Sequence, residues 1–310
     1  MSFLNLIRYK NLLMLAFMQL VFRYGFLKWQ AIDLALADWQ YGLLVLSTLL
    51  IAAAGYVIND IFDQETDSEN KPDKVIVGKY ISESKAYNLY ALLNVSGVAI
   101  GFYLSNVIMK PNFAAIFIFI AATLYIYATS LKQMPLIGNI VVALILAISV
   151  IIIGIFDIFP ATDANNQLIM ARLFSILLDY AIFAFMINLL REIVKDAEDF
   201  EGDNQQGMRT LAVILGVQKT AKLVFALSFI PILSLLFYTN SYLVPNHLIG
   251  ATIYSFLFVL GPLLYFSIKI WNAKSKTDFT HLSKVLKWIL FFGILSILII
   301  TLNIHYHASK

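Results

Sequence analysis

The sequence predicts an all-α fold, a polytopic membrane bundle of about nine transmembrane helices that enclose a central cavity. Three observations predict it: of 310 residues 60% are hydrophobic, only 13% are charged, and the mean hydropathy is +0.80. A soluble domain of this length has too little interior to keep so much apolar surface from water. The absence of cysteine excludes disulfides, thiolate zinc sites and a cysteine nucleophile.

Several apolar stretches are long enough to cross a hydrocarbon core, which takes roughly 20 residues of helix. They are predicted at 11–29, 41–61, 85–108, 113–130, 137–157, 171–194, 219–239, 247–271 and 285–304. The short breaks between them contain Pro, Asn and Asp, and none has the composition of a linker, so we expect a single transmembrane domain over 1–310. The first stretch lacks a small-residue cleavage site and is predicted to be a membrane helix rather than a signal peptide.

Basic residues orient the predicted helices. When the stretches are threaded alternately through a membrane, most of the 22 Lys and Arg residues fall on the side of the N-terminus. By the positive-inside rule this side is cytoplasmic, so we expect a multi-pass protein of the cell inner membrane. Arg23 is predicted to extend toward the outer surface. Five basic residues near the C-terminal end are interpreted as part of the topology signal alone: Lys269, Lys274, Lys276, Lys284 and Lys287.

Acidic residues concentrate directly after the second stretch, in the segment NDIFDQETDSENKPDKVIVGK from Asn59 to Lys79. Asn59, Asp63 and Asp67 are spaced at i, i+4 and i+8, so a helix would present all three on one face. Asp60 belongs to the same segment. A face of this kind is suited to binding a cation.

A second acidic segment, REIVKDAEDFEGD, runs from Arg191 to Asp203 and closes the sixth stretch. Asp199 and Asp203 are spaced at i and i+4, and Asp196 lies about one turn before them. The two acidic segments end helices that are four helices apart in the chain. A pseudo-duplicated bundle would therefore bring both clusters together across one cavity.

Carboxylate and amide oxygens are hard ligands, which favour Mg²⁺ and usually bind it together with substrate phosphate. Basic residues beside the clusters are candidate contacts for that phosphate: Lys71, Lys74, Lys79, Lys132 and Arg209. The alternative is a pair of solvated acidic loops neutralised by neighbouring lysines. A diphosphate site at the polar end of an apolar chamber indicates an isoprenyl diphosphate, whose allylic cation would be stabilised by aromatic faces.

These motifs resemble those of the UbiA superfamily of intramembrane prenyltransferases. NDIFDQETD is similar to the family's NDxxDxxxD motif, KPDKVIVGKYIS to its KPxRPIPSGxIS segment, and DFEGD to its second aspartate motif, DxxxD. Further similarity runs through YATSLKQMPLIGN, from Tyr127 to Asn139, and through GMRTLAVILG, from Gly207 to Gly216. The likeness covers most of the first seven predicted helices.

The resemblance implies roles for individual residues. Two Mg²⁺ ions would be held by Asn59, Asp63, Asp199 and Asp203, with Asp60, Asp67 and Asp196 as further ligands or as carboxylates directly behind them. The carboxylates with implied catalytic roles are Asp63, Asp67, Asp196, Asp199 and Asp203. The residues with implied substrate-binding roles are Asn11, Lys71, Lys74, Lys79, Tyr127, Lys132 and Arg209.

The chain departs from the family pattern at four of its motif positions. Asn11 lies in RYKN, which resembles the family's RPxN segment with Tyr9 in place of proline. In the first acidic segment Lys74 replaces the usual Arg, and Val75 and Val77 replace two prolines. A Lys offers a point charge where Arg offers a planar fork, so the acceptor preference of this loop stays open.

Within the family, REIVKDAEDFEGD followed by GMRTLAV is most similar to the digeranylgeranylglyceryl phosphate synthase branch, which adds a geranylgeranyl chain to a prenylated glycerol phosphate in ether-lipid synthesis. Lys195, Arg191, Lys71 or Lys74 would then receive the acceptor phosphate. The alternative acceptor is aromatic, hydroxybenzoate or homogentisate in quinone or pigment synthesis, with Asp196 as the candidate base.

An alternative of another class is a membrane carrier that binds a polyprenyl phosphate without breaking a bond. Such a carrier would place acidic residues along a path through the membrane, whereas here they gather at one face. We expect an isoprenyl diphosphate, a lipophilic acceptor and the lipid bilayer as partners, with Mg²⁺ as cofactor. Neither nucleic acid nor an obligate protein partner is expected.

Overall fold

The computed structural model describes residues 2–70 and 72–308, and the side chains of Ser2, Asn70, Lys74, His307 and Ala308 are outside that description. Apart from an isolated bridge between Val77 and Ile81, the ordered elements in these ranges are helical. Nine helical spans in the described part of the chain are long and apolar enough to cross a membrane. The predicted fold class is therefore confirmed. Lys71, predicted to bind phosphate, lies outside the described residues.

The helices are, in chain order, α1 (Ser2–Leu6), α2 (Tyr9–Gly25), α3 (Asp38–Phe62), α4 (Gln64–Asn70), α5 (Glu83–Val107), α6 (Ala114–Thr129), α7 (Ile137–Ile153), α8 (Gln167–Glu198), α9 (Phe200–Gln205), α10 (Leu211–Leu215), α11 (Val217–Tyr238), α12 (Ile249–Ser255), α13 (Gly261–Trp271) and α14 (Lys276–Ala308). Short 3₁₀ or π segments extend α2, α7 and α11, and a π turn joins α12 to α13. The short helices α1, α4, α9 and α10 lie outside the membrane spans.

Two helices, α3 and α8, organise the packing of the bundle. α3 packs against α2, α5 and α6, whereas α8 packs against α7, α11 and α14. The last span, α14, also packs against α2, so the two ends of the chain meet. Because α3 and α8 each end in one of the acidic segments, the same packing positions both segments.

The last span begins at Lys276, earlier than the predicted start of 285. Its polar first turns are fixed by a reciprocal cap. The backbone N–H of Asp278 donates to Ser275 Oγ at 3.2 Å, and the N–H of Ser275 donates to Asp278 Oδ2 at 2.9 Å. This capping box starts a helix before the apolar run begins, which is why hydropathy alone places the boundary too late.

Arg23 is buried at the end of the bundle opposite the acidic segments, so its predicted extension toward the surface is wrong. It forms an ion pair with Asp157, and the side chains of both residues are almost completely inaccessible. The guanidinium also donates to the carbonyl of Leu36 at 2.6 Å and lies 4.4 Å from the centre of the Tyr41 ring. The partner charge comes from α7 and its π extension, far away in sequence, so the sequence did not reveal the pair.

Candidate active site at the ends of two membrane helices

The first acidic motif lies where α3 meets α4. Asp63 occupies the junction between the two helices, yet the helical hydrogen bonding continues across it. The Asp63 N–H donates to the Asn59 carbonyl at 2.9 Å, and the Asp67 N–H donates to the Asp63 carbonyl at 2.7 Å. Asn59 Nδ2 also donates to Asp63 Oδ2. The predicted common face of Asn59, Asp63 and Asp67 is thus consistent with the backbone.

The second acidic motif has the same local architecture. Asp199 is the junction between α8 and α9, with its N–H donating to the Lys195 carbonyl at 2.9 Å. The Asp203 N–H donates to the Asp199 carbonyl at 3.1 Å, and the Asp203 side chain is largely buried. Both motifs therefore place one aspartate at the end of a long helix and another one turn into a short helix. This likeness supports the internal repetition suggested by the sequence.

The two motifs meet in space. The short helices that follow them, α4 and α9, are in contact. Gln206, directly after α9, donates through Nε2 to Glu69 Oε1 in α4 at 3.4 Å. The predicted convergence of the ends of the second and sixth membrane helices is therefore found in the structure.

A third segment, between α6 and α7, contacts both motifs. Lys132 Nζ forms an ion pair with Asp63 Oδ1, and both side chains are mostly buried. Asn139 Nδ2 donates to Asp196 Oδ2 at 2.9 Å. Tyr127, the first residue of the same segment, lies near the C-terminal end of α6. Residues of the YATSLKQMPLIGN segment thus lie between the first and second acidic motifs.

The N-terminal segment joins the same end of the bundle. Arg8 Nη2 pairs with Asp60 Oδ1 at 2.9 Å, and the guanidinium carbon lies 5.0 Å from the centre of the Tyr56 ring. Burial lowers the pKa of the Arg8 guanidinium, but the field of the Asp60 carboxylate raises it, and the net pKa is above its ordinary value. Asn11 Nδ2 donates to the Tyr56 hydroxyl at 3.3 Å. Asp60, predicted as a metal ligand, is here the counter-ion of Arg8.

Other predicted phosphate contacts are more peripheral. Lys79 is exposed and donates to the backbone carbonyl of Pro72 at 2.9 Å. Arg209 is exposed in the loop after α9, and none of the hydrogen bonds or ion pairs of the described residues includes it. The side chain of Lys74 is outside the described part of the chain. The structure therefore places Lys132 at the motifs and leaves these other basic residues around them.

Several residues of this end were not singled out from the sequence. Arg8 and Asn139 lie inside quoted motif segments, but their acidic partners, Asp60 and Asp196, are more than 50 residues away in the chain, so membership of those segments was the available signal. Glu192 is buried between two cations, accepting from Arg191 Nη1 at 3.1 Å and from Lys195 Nζ at 2.9 Å. Lys287, interpreted as a topology signal, instead donates through Nζ to Asn11 Oδ1 at 2.7 Å. Only the tertiary packing of α14 on α2 reveals that contact.

The donor set of the two motifs fits Mg²⁺ in its chemistry. Its members are carboxylates and an amide, hard oxygen donors of the kind that magnesium prefers. Within residues 2–70 and 72–308, no three His, Cys, Asp or Glu side chains are already grouped as a metal cluster. One of the proposed ligands, Asp63, is instead neutralised by Lys132. The site therefore supplies suitable metal ligands, and one of them, Asp63, is paired with the ammonium of Lys132.

Among the described residues, one cavity and one groove lie away from the acidic motifs. One, of about 350 Å³, lies at the opposite end of the bundle and is lined by Arg23, Lys28, Asp33 and Asp38 among others. The other, of about 900 Å³, is an open apolar groove between α5 and α6. Neither is lined by residues of the two acidic motifs, so the central cavity stays a prediction.

Comparison with known proteins identifies the class to which this helical bundle belongs. A structure described as digeranylgeranylglyceryl phosphate synthase in membranes is 23% identical, with a TM-score of 0.63 over 97% of both chains. A UbiA homologue from Archaeoglobus fulgidus bound to GPP and Mg²⁺ is 17% identical, with a TM-score of 0.59 over 96% of this chain and 99% of that one. These similarities establish the fold.

Sequence comparison establishes the family. Residues 16–302 match the UbiA prenyltransferase family, and the chain belongs to it. It is thus a transferase of prenyl groups. The digeranylgeranylglyceryl phosphate synthase of Methanobrevibacter smithii is 33% identical over 246 residues, which cover 79% of this chain and 81% of that protein. The corresponding protein of Korarchaeum cryptofilum is 36% identical over 190 residues, 60% of this chain, and the match spans only 61% of that relative's length.

Proposed function

We propose that this chain transfers a geranylgeranyl group from its diphosphate to geranylgeranylglyceryl phosphate, a step of ether-lipid synthesis. The observation that carries the proposal is the contact between the helices that follow the two acidic motifs, with Lys132 bound to Asp63 at the same end. Cation and carboxylate groups from distant parts of the chain are thus gathered where a diphosphate and its metal can bind. The similarity to digeranylgeranylglyceryl phosphate synthases supports the choice of acceptor.

Each group at this end has a proposed role. Mg²⁺ would be held by oxygens of the two motifs: Asn59, Asp60, Asp63, Asp67, Asp199 and Asp203. When bound, the metal supplies positive charge that stabilises a departing diphosphate. The donor substrate would be contacted by residues around the motifs: Asn11, Lys71, Lys74, Lys79, Tyr127, Lys132 and Arg209. Of these, Lys132 is already next to Asp63 and would bind diphosphate oxygens directly.

The proposed reaction is a substitution at the first carbon of the prenyl chain. The bond between this carbon and the diphosphate oxygen breaks, and the electron pair leaves with the diphosphate. A lone pair of the acceptor hydroxyl oxygen then forms a new carbon–oxygen ether bond at the allylic cation. The hydroxyl proton leaves in the same step. We assign Asp196 as its acceptor because Asn139 donates to that carboxylate from the same segment whose Lys132 pairs with Asp63.

The alternatives are weaker for this chain. Membership in a family of prenyltransferases argues against a carrier that breaks no bond. An aromatic acceptor would use the same diphosphate chemistry, so the acidic motifs alone do not distinguish the two acceptors. The relatives at 33% and 36% identity are digeranylgeranylglyceryl phosphate synthases, and this favours the glycerol phosphate acceptor.

The decisive experiment offers the acceptors in competition. Purified protein is incubated with geranylgeranyl diphosphate, Mg²⁺ and equal amounts of geranylgeranylglyceryl phosphate, hydroxybenzoate and homogentisate, and the prenylated products are identified by mass spectrometry. We expect the doubly prenylated glyceryl phosphate as the main product. A prenylated aromatic ring as the main product would contradict the proposed acceptor.

A further inference from the structure

Lys287 is a cation of the last helix that lies inside the motif end of the bundle. Its ammonium donates to Asn11 Oδ1 at 2.7 Å, and its side chain is partly buried between α14 and α2. Asn11 is neutral. Within the described part of the chain, no carboxylate forms an ion pair with Lys287. Among the described residues, this partly buried ammonium thus has only an amide oxygen as its hydrogen-bond partner.

The neighbourhood of Lys287 carries an excess of positive charge. Its helix, α14, packs against α8, which carries Arg191, and against α2, which carries Lys10, and both of these cations repel the Lys287 ammonium. Arg191 shares its one carboxylate, Glu192, with Lys195. Lys10, Arg191, Lys195 and Lys287 are thus four cations, and among the described residues the one carboxylate that pairs with any of them is Glu192. Such a group of partly buried like charges is costly unless an anion binds among them.

One donor of this cluster is also unused. The Arg191 Nε atom is buried and has no hydrogen-bond partner among the residues that the structure describes. A buried N–H without an acceptor costs free energy, and the oxygen atoms of an anion would satisfy it. Arg191 and Lys287 therefore offer an unused donor and an ammonium without a counter-ion in one neighbourhood.

This cluster is connected to the acidic motifs but differs from them in charge. Asn11, the partner of Lys287, donates to the hydroxyl of Tyr56, and the Tyr56 ring lies beneath the guanidinium of Arg8. Arg8 in turn pairs with Asp60 of the first motif. The motif site is rich in carboxylates and needs a metal to hold an anion, whereas the cluster around Lys287 has a net positive charge and needs no metal to attract one.

We propose that Lys287, together with Arg191, binds the phosphate of the lipid acceptor and so contributes to acceptor specificity. The inference rests on the proposed function and extends it, because it makes a residue of the last helix part of the binding site for the acceptor phosphate. A phosphate monoester offers three acceptor oxygens, enough for the Lys287 ammonium and the Arg191 guanidinium together. The diphosphate of the donor would remain at the acidic motifs.

A purely structural role for Lys287, tying α14 to α2 through Asn11, is the competing explanation. The two explanations predict different effects of a Lys287 substitution on an acceptor that lacks the phosphate. If Lys287 binds phosphate, its removal affects only an acceptor that carries one. If it only holds helices together, its removal affects all substrates alike.

The test compares geranylgeranylglyceryl phosphate with geranylgeranylglycerol, which lacks the phosphate. Lys287→Gln keeps a donor for Asn11 but removes the charge. We expect it to raise the KM for the phosphate acceptor about tenfold or more, the usual effect of losing a charged hydrogen bond. The KM values for geranylgeranyl diphosphate and for geranylgeranylglycerol should stay within about twofold of wild type. Lys287→Arg should keep most of the affinity for the phosphate acceptor. Lys284 is exposed on the same helix, and Lys284→Gln should leave the KM values for both acceptors unchanged.

A binding measurement separates failure of this inference from failure of the proposed reaction. Thermal stabilisation by geranylgeranylglyceryl phosphate is measured without Mg²⁺ or donor. If the acceptor stabilises the wild type but not Lys287→Gln, the phosphate site is supported. If no product forms in that case, only the proposed reaction fails. Equal effects of Lys287→Gln on the KM values of both acceptors overturn the inference, and so does a thermal stabilisation that Lys287→Gln leaves unchanged. In either case, formation of the doubly prenylated product still supports the proposed reaction. Equal stabilisation by phosphatidylglycerol would assign the site to bulk anionic lipid and would also overturn the inference. The inference is overturned as well if geranylgeranylglyceryl phosphate does not stabilise the wild type.

Discussion

Lys132 Nζ forms an ion pair with Oδ1 of Asp63, 69 residues earlier in the chain. The contact joins the loop between α6 and α7 to the junction of α3 and α4. Both side chains are mostly buried, so the pair is shielded from bulk water. A cation in contact with the central carboxylate of the first acidic motif is well placed to bind a diphosphate there.

Lys132→Ala is expected to weaken the binding of prenyl diphosphate. Loss of a charged hydrogen bond to phosphate should raise the KM for geranylgeranyl diphosphate by about tenfold to a hundredfold. Lys132→Arg should retain part of the affinity, since it keeps the charge with a different geometry. The measurement is steady-state kinetics with varied donor, and Lys219→Ala, an exposed lysine at the start of α11, is the matched control. An unchanged KM in Lys132→Ala would remove Lys132 from the donor site.

Removal of Mg²⁺ should stop turnover without unfolding the protein. The carboxylates and the amide are the proposed metal ligands, but the bundle is held by helix packing and by ion pairs such as Lys132–Asp63. EDTA is therefore expected to abolish product formation, excess Mg²⁺ to restore it, and the Tm to change little. Persistent turnover in EDTA would contradict a metal requirement. A large fall in the Tm would instead indicate that the metal holds the fold.

The ion pair between Arg23 and Asp157 should be important for stability and not for chemistry. Arg23→Met leaves a buried carboxylate without its counter-ion, which we expect to cost about 3–5 kcal/mol. The double variant Arg23→Met with Asp157→Leu should recover much of this loss, because it leaves no isolated charge. Thermal unfolding in detergent measures the effect, and Lys28→Met, at a more exposed pair with Asp38, is the control. Equal stability of wild type and Arg23→Met would show that the pair contributes little.

The structure follows most directly from the sequence where a local pattern determines it. Apolar stretches defined the spans, and the i, i+4 spacing of Asp199 and Asp203 matched the helical hydrogen bonds observed there. The pairing of the two motifs was also predictable, because each closes a membrane helix. In contrast, Asp157 and Lys287 acquire their partners only through tertiary packing. Nothing in the neighbouring sequence of either residue indicates a partner more than a hundred positions away.

The absence of cysteine makes the predicted orientation directly testable. Ser68→Cys introduces a thiol in α4 beside the first acidic motif, and Asn112→Cys introduces one between α5 and α6 at the other end; both positions are exposed. If the motif end is cytoplasmic, a membrane-impermeant thiol reagent applied to intact cells should label only Asn112→Cys. Ser68→Cys should react after permeabilisation. The reverse pattern would contradict the orientation drawn from the basic residues.

The central claim is that the two acidic motifs form one site for prenyl diphosphate and Mg²⁺. A double-mutant cycle tests it most directly, with Asp63→Asn, Asp199→Asn and the double variant, and with Glu65→Gln, exposed in α4, as control. The quantity measured is the Mg²⁺-dependent binding of a nonhydrolysable geranylgeranyl diphosphate analogue. A single site predicts that each single variant loses most of the binding and that the double variant loses little more, with a coupling of about 0.5–3 kcal/mol. Additive losses, or binding in either single variant close to that of wild type, would contradict the claim.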